Sequence, residues 1–580
     1  MWKDRFLREG NHRANVEVDD KTAMLEQQQS SAMPQEQTQD VSLHVDVPVA
    51  IGYITRVNGA GAVLRCPLER FITDESDDDM LPAGQIGAMV KVKVDKGYVF
   101  CTVCTVEMVG DASSDTADVI LTVEFLGHGI RAPRHPAGMI FDRGISAFPM
   151  PGAKVYEVSV GDVEAIFGIN DSNHMQIGTI YPHHLTPASV KIDSMLGKHF
   201  AVLGSTGTGK SCSVALLIHR IAERLPNGHI LILDPHNEYA EAFSDCGEHF
   251  DITNLQLPYW LMNFEEHVEM FIGSRMTAER EVEVDILRRA IHNARVANAE
   301  GVSKDKITVD TPVPYKLTFL MEYLEVEMGK LEKAESLTPF LRLRSKIEEL
   351  RRDNRFNFMF SGLLVHDNLR SIIGQILRFP VEGKPVSTID LSGVPSEIVN
   401  VVVSVLSRLV FDFALWSRGE NARPILLVCE EAHRYVPNDK QVKFESTRKS
   451  IERIAKEGRK YGVSLGLVSQ RPADVSESAL SQCGTIIAMR MNNERDQRFV
   501  EHVMPESAQG ALTSLSALQN REGIVVGEGA NAPMRIQFDR LDDHLRPSST
   551  NPAFSRDWQI EVEDEGFIVD SISRWRSQGR

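Results

Sequence analysis

Nowhere in this chain of 580 residues is there an apolar run long enough to cross a bilayer. The longest, from Val401 to Trp416, is interrupted by Arg408 and Asp412 and reads as a buried helix of a globular protein. The opening residues, MWKDRFLREGNHR, lack the apolar centre of a secretory signal. The expectation is a cytoplasmic protein with no membrane partner. An excess of positive charge is also missing. Lys and Arg number 63 against 81 Asp and Glu, a formal net charge of −18. That balance excludes a protein whose whole surface coats nucleic acid, so any DNA contact has to be local, as inside a channel with an acidic outer wall. Cysteines are few, seven in all, odd in number and scattered. The close pair Cys101 and Cys104 has no second pair beside it to complete a tetrahedral zinc site, which leaves reduced thiols as the reading. The acidic stretch from Asp74 to Asp79 lacks the ligand spacing of a calcium loop.

What is present divides by pattern. The length exceeds what one core serves, so two or three domains are expected. Residues 1–44 are polar, with a Gln run at Gln27 to Gln29, and read as a flexible tail. Residues 45–182 carry short strands and turn signals. VAIGYITRV and AVLRC flank Asn58-Gly59, and MVKVKV and YVFCTVCTVEM flank Asp95-Lys96-Gly97. A small barrel or sandwich follows from that pattern. Near Lys198 the style changes. HFAVLG, HILILD, STIDLSG, ILLVCEE, SLGLVSQ and TIIAMRM are short and apolar throughout, as strands of a parallel sheet covered by helices on both faces. This α/β core occupies 183–262 and 379–541. A charged segment of helical periodicity at 263–378 interrupts it, and 542–580 form a C-terminal extension.

The strongest signal is Gly204-Ser205-Thr206-Gly207-Thr208-Gly209-Lys210-Ser211, a full match to the phosphate-binding loop. Glycines let the backbone wrap a phosphate with its N–H groups inward. Lys210 is placed for the β- and γ-phosphates, Ser211 for Mg²⁺, and Cys212 opens the helix behind them. An apolar strand leads in. A helix with Val214, Leu217, Ile218, Ile221 and Leu225 on one face leads out, its positive dipole end at the site. ATP and Mg²⁺ are the expected cofactors.

Two acids close the strand Ile425 to Glu431. At the end of a parallel strand beside a phosphate loop, Glu430 is placed to serve the metal and Glu431 to act as general base on water. Gln470, at the tip of SLGLVSQ, is placed to touch γ-phosphate and attacking water. Asp234, at the tip of HILILD, is a further candidate for metal or water. His236 and Glu238 share one turn with it, so a transition-metal site is not expected there. His183, His184 and His433 read as ordinary histidines.

HFAVLGSTGTGKS, LILDPHNEY, LLVCEEAHRYVP, RIAKEGRKYGVSLGLVSQRP and TIIAMRMNNERD, in this order and spacing, resemble the HerA family within the FtsK–HerA superfamily of RecA-like ATPases. The N-terminal strands look like the HAS barrel of that family. The resemblance covers about residues 45–540, with one departure: Glu430 stands where the family often has Asp. It implies a homohexameric ring that moves double-stranded DNA through a central channel, with ATP between subunits. It also implies that Arg459 is the arginine finger supplied to a neighbour, with Arg453 and Lys198 as weaker candidates for charge near the phosphates. A partner nuclease or NADase-type effector, in DNA end processing or anti-phage defence, is implied too. An ATP-regulated scaffold that activates an effector is the alternative, and a secretion-type ATPase a third. The basic run from Lys440 to Lys460 reads either as a pore lining or as a solvated helix face.

Overall fold

The structure is a computed structural model. It describes residues 50–71, 83–110, 117–134, 138–182, 185–273, 278–299, 303–331, 337–361, 365–417, 419, 422–439, 445–504, 508–548, 554–561 and 566–577. The expected tail at 1–44, the acidic stretch at 74–79, His183, His184, Lys440 and Lys443 lie outside the described residues.

Alternating burial builds the first module. Its strands are β1 (Ala50–Val57), β2 (Gly61–Pro67), β3 (Met89–Val94), β4 (Gly97–Val109), β5 (Asp118–Arg131), β6 (Met139–Asp142) and β7 (Lys154–Glu157). They pair in the order β2-β1-β7-β3-β4-β5, and β5 pairs back onto β2, which closes a six-stranded barrel; β6 adds to the outside of β5. The Asn58 side chain accepts the N–H groups of Ala60 at 2.9 Å and Gly61 at 2.7 Å, so the first hairpin turns where the Asn-Gly signal placed it. Ile54, Leu64, Val90, Val92, Val99, Leu121 and Val155 fill the interior with Cys101 among them. Cys104 instead faces the Glu124 carboxylate outside that core, so the two thiols do not share a site.

The second module is an eleven-stranded sheet. Its strands are β8 (His174–Ile180), β9 (Pro187–Lys191), β10 (Phe200–Leu203), β11 (Ile230–Asp234), β12 (Gly247–Phe250), β13 (Val386–Asp390), β14 (Ile425–Cys429), β15 (Val463–Ser469), β16 (Thr485–Met489), β17 (Glu522–Gly527) and β18 (Met534–Phe538). The order is β12-β13-β11-β14-β15-β10-β16-β17-β18-β8-β9. From β12 to β16 every pair is parallel; from β16 to β9 every pair is antiparallel. All residues of β10, β11, β13, β14, β15 and β16 are buried, because helices cover both faces. Strand β12 was not expected: four residues, GEHF, carry too short a pattern to register. Strand β8 falls within the span assigned from sequence to the barrel, yet it pairs with β18 in the core sheet. Hydrophobic patterning shows that a segment is a strand and does not say which sheet receives it.

Three helices position the site: α1 (Lys210–Arg224), α2 (Val399–Trp416) and α3 (Glu445–Glu457). Val214, Leu217, Ile218 and Ile221 of α1 are buried against the sheet, as its periodicity required. Leu225 is 40% exposed, because the helix ends one residue before it. Helix α2 is the one helix among the described residues long and apolar enough to span a membrane by composition, but two-thirds of it is buried inside the protein. Its polar residues explain its place. Arg408 pairs with Glu266 at 2.9 Å and Asp412 at 3.2 Å, and Ser404 donates to Glu266 at 2.8 Å. Glu266 belongs to Phe264–Phe271, the first helix of a helical region between β12 and β13 that continues with Ala278–Ala297, Leu317–Met328 and Thr338–Arg352. A buried carboxylate shared by a guanidinium and a hydroxyl thus ties that region to the core.

Candidate nucleotide site

The phosphate loop leaves the C-terminal end of β10, flanked by β15 and β16. Both neighbours pin it. The Gly204 N–H donates to Ser469 O at 3.3 Å, and the Ser205 N–H to Arg490 O at 3.0 Å. A Cβ on Gly204 would lie 2.8 Å from Met489 Cβ, so only glycine lets the loop leave the strand this close to β16. Gly207 and Gly209 take φ of +79° and +94°, the left-handed region that curls the N–H groups inward. The Thr208 hydroxyl donates to Ser205 O at 2.8 Å across the loop, and the Ser213 hydroxyl to Gly209 O at 3.1 Å behind it. Lys210 is only 7% exposed and opens α1, with Ser211 and Cys212 half-buried after it.

Strand β14 delivers the two acids. Glu431 has φ +54°, a rare conformation for a non-glycine residue, and this turns its side chain from the strand direction to the loop. Its Oε1 stands 3.9 Å from Lys210 Nζ. Its Oε2 lies 3.2 Å from His433 Nδ1 but accepts no hydrogen bond, an open acceptor in a buried place. Glu430 is 2% exposed and receives the Tyr239 hydroxyl at 3.1 Å. Burial pushes its carboxyl up to about 8; Lys210 pulls it down, and the neighbouring charges of Glu431 and Glu238 push it up further. Folded Glu430 therefore holds a proton that the unfolded chain releases near the ordinary glutamate value of 4.5. With more protons bound in the folded state, stability falls as pH rises from about 4.5 to about 8. Glu430→Gln is expected to flatten that slope and raise the melting temperature at pH 8.5 by about 2–4 °C, read by calorimetry from pH 5 to 9. An unchanged slope would refute the burial argument.

Gln470 follows β15 and accepts a hydrogen bond from the Thr206 hydroxyl, so it reaches across to the phosphate loop. Asp234 ends β11. It is fully buried, and its oxygens accept the N–H groups of His236 at 3.2 Å and Tyr239 at 2.9 Å. It holds the turn that carries Tyr239 to Glu430. Among the described residues no cluster of His, Cys, Asp and Glu is arranged to hold a metal ion.

His433 is the residue the sequence reading passed over. Its Nδ1 is 3.2 Å from Ser469 Oγ and 3.2 Å from Glu431 Oε2. Burial lowers its pKa although Glu431 draws it the other way. A histidine two residues after the acidic pair was the available signal, but only the fold brings Ser469 beside it. His433→Ala is expected to lower kcat about tenfold with KM for ATP unchanged, since it steadies Glu431 without touching phosphate. A raised KM with intact kcat would place it in nucleotide binding instead.

Arg459 lies elsewhere. It precedes β15, and its charge acts on His199, which precedes β10. Both stand where the parallel strands begin, across the sheet from the phosphate loop. Lys198 sits there too and pairs with Glu528. Arg453 stacks on Phe411 at 4.3 Å, with Asp412 and Glu457 each at 4.0 Å. The basic run is largely neutralised: Arg448 and Lys456 each meet Glu452 at 3.6 Å, and Lys449 meets Glu445 at 3.2 Å. Arg459 and Lys460 have no ion pair among the described residues.

A glycine loop between strand and helix, with a glutamine at the end of the adjacent parallel strand and an acidic pair at the end of the next, defines a P-loop ATPase. Residues 175–410 match the family model of the helicase HerA central domain. The chain is 25% identical over 427 residues to a probable helicase of Methanocaldococcus jannaschii, covering 72% of this chain and 75% of that protein. It is 26% identical over 516 residues to the DNA double-strand break repair helicase HerA of Pyrococcus furiosus, covering 82% and 85%. VirB4 of Thermoanaerobacter pseudethanolicus superposes with a TM-score of 0.47 at 14% identity, over 65% of this chain and all of that one. Over these spans the chain is similar to HerA-type helicases.

Proposed function

We propose that this ATPase works as a homohexameric ring in the cytoplasm and drives double-stranded DNA through its centre. The observation that carries the reading is the separation of Arg459 from its own phosphate loop. Strand β15 spans seven residues between Arg459's end of the sheet and Gln470's. At roughly 3.3 Å per residue that is about 20 Å, beyond the reach of an arginine. The guanidinium is exposed and unpaired among the described residues, so it is free to enter the site of an adjoining protomer. There it would neutralise charge developing on the γ-phosphoryl group.

Within one protomer the assignments follow the geometry. The loop from Gly204 to Cys212 cradles the phosphates, and Lys210 neutralises them. Glu431 takes the proton of the attacking water through its open oxygen, and Gln470 orients that water. Ser211 and Glu430 are the residues that would hold Mg²⁺, and the fit is chemical: hydroxyl and carboxyl oxygens suit a hard cation, which would take the place of the proton that buried Glu430 holds. When bound, the ion supplies charge neutralisation to the phosphates. Asp234 shapes the loop from one side.

The relatives' names point to DNA double-strand break repair. A nuclease or other effector subunit, in repair or anti-phage defence, is the partner this reading expects. The test is ATP-dependent displacement of a triplex-forming strand from duplex DNA by purified protein. ATP hydrolysis without displacement would replace the motor by an ATP-regulated scaffold.

A further inference from the structure

The end of the sheet opposite the phosphate loop holds a buried imidazole that the chemistry of the nucleotide site leaves unused. His199 stands one residue before β10 and five before Gly204. It is 2% exposed. Its φ is +59°, so the chain enters β10 through a left-handed turn that a residue other than glycine adopts only at a cost. Both ring nitrogens are committed. Nε2 donates to Ala455 O at 3.1 Å, and Nδ1 accepts the Leu465 N–H at 3.0 Å. The ring is therefore neutral, with its proton on Nε2. Burial lowers its pKa, the Ala455 carbonyl draws it up, and the charge of Arg459 lowers it further. The backbone around the ring is fixed as well: His199 O accepts the Thr485 N–H at 3.4 Å, and Lys198 O the Gly484 N–H at 2.6 Å, both from the β16 side.

The two partners of the ring bracket Arg459. Ala455 lies on α3, four residues before Arg459, and its carbonyl is the one that a continuing helix would offer to the Arg459 N–H. Helix α3 ends at Glu457 instead, and the His199 imidazole takes up that carbonyl. Leu465 is the third residue of β15, six after Arg459. Between them the chain makes one tight turn, Gly458–Tyr461, with Gly462 behind it at φ +77°. A Cβ on Gly458 would lie 2.8 Å from Val463 O, so the turn is packed close against the start of β15. The Arg459 side chain leaves this turn exposed. One buried side chain thus grips the segment on both sides of the exposed guanidinium.

We propose that His199 is a positioning residue for Arg459: by holding Ala455 and Leu465 it fixes the point from which the guanidinium reaches the adjoining protomer, and so it governs ATP turnover in that protomer's site. The inference rests on the reading of Arg459 as a group supplied across an interface, and adds to it the residue that keeps the group in place. The position of His199 makes the claim separable from a general role in folding. His199 begins the strand whose other end is the phosphate loop, so a defect in the strand is felt in the protomer's own nucleotide site. A defect in the placing of Arg459 is felt next door.

His199→Ala in the full chain is expected to lower kcat about 10–100-fold, the loss that a displacement of about 1 Å produces, with affinity for an ATP analogue within about threefold of wild type. Mixed assemblies then locate the defect. Co-expressed with Glu431→Ala, His199→Ala should recover activity, because its own intact site receives Arg459 from a protomer whose His199 is intact. Co-expressed with Arg459→Ala it should not, because the only guanidinium on offer comes from the protomer that lacks His199. The opposite pattern, recovery with Arg459→Ala and none with Glu431→Ala, places the defect in the protomer's own phosphate loop and overturns the proposal. So does a wild-type kcat in His199→Ala. Recovery in the first mixture also shows that the variant folds and assembles. Should His199→Ala not assemble, His199→Asn carries the same pair of mixtures, since Asn tolerates a positive φ. Failure of Arg459→Ala and Glu431→Ala to complement each other would instead strike the reading of Arg459 itself.

Discussion

Glu431→Ala is expected to lower steady-state ATP turnover by about 10²–10⁴-fold while leaving ATP affinity within about threefold of wild type. The reason is geometric. In the proposed site the loop and Lys210 hold the phosphates, and neither is removed. Lost is the one carboxylate oxygen near the loop that, among the described residues, is buried and without a hydrogen bond. Its other oxygen, 3.9 Å from Lys210, keeps the lysine directed along the loop. Some change in affinity is therefore allowed, but far less than the change in rate. Glu431→Gln is the sharper variant, because it keeps shape and removes only basicity. Equilibrium binding of a fluorescent ATP analogue, measured beside phosphate release, separates the two effects. Turnover near the wild-type rate in Glu431→Gln would end the assignment of a general base to this position.

Arg459→Ala is expected to cost still more, about 10³–10⁵-fold in kcat, the usual range for an arginine finger. The loss should be repaired between subunits. Arg459→Ala lacks the donated guanidinium, and Glu431→Ala lacks the base of the site that receives it. Each variant alone is inactive. Co-expressed in one assembly, some interfaces pair the intact Glu431 of one protomer with the intact Arg459 of its neighbour. Activity should then return to a fraction set by mixing, detectable against the two dead parents. A co-expressed mixture as inactive as its parents, under conditions where wild type and variant subunits demonstrably mix, would show that the finger does not act across an interface. An Arg459→Ala protein with ordinary turnover would remove the role altogether. The same experiment addresses the ring, since a monomer cannot complement.

Much of the chemistry could be read from the chain itself. The phosphate loop is local: eight consecutive residues whose φ angles and N–H directions follow from three glycines, a lysine and a serine. Six of the eleven core strands were legible for the same reason, since burial on both faces leaves an unbroken apolar run. What failed to appear in the sequence was long-range. Strand β12 is too short to leave a pattern. Strand β8 lies among barrel strands in the chain but pairs with β18, more than three hundred residues away. His433 looked ordinary because Ser469, its partner, lies 36 positions on. Asp234 read as a candidate for metal or water because it ends a strand beside the site, and only the fold shows that its oxygens accept the N–H groups of His236 and Tyr239.

The sequence by itself determined the phosphate-loop motif, the strand and helix around it and the acids at the end of β14, because these depend on spacings within single strand–loop–helix units. The tertiary structure decided which of those acids is open and which is sealed, and that Arg459 faces away from its own site. These are properties of strand order. A chain specifies each strand by its own residues, but the company a strand keeps across the sheet is settled by packing among segments far apart in sequence.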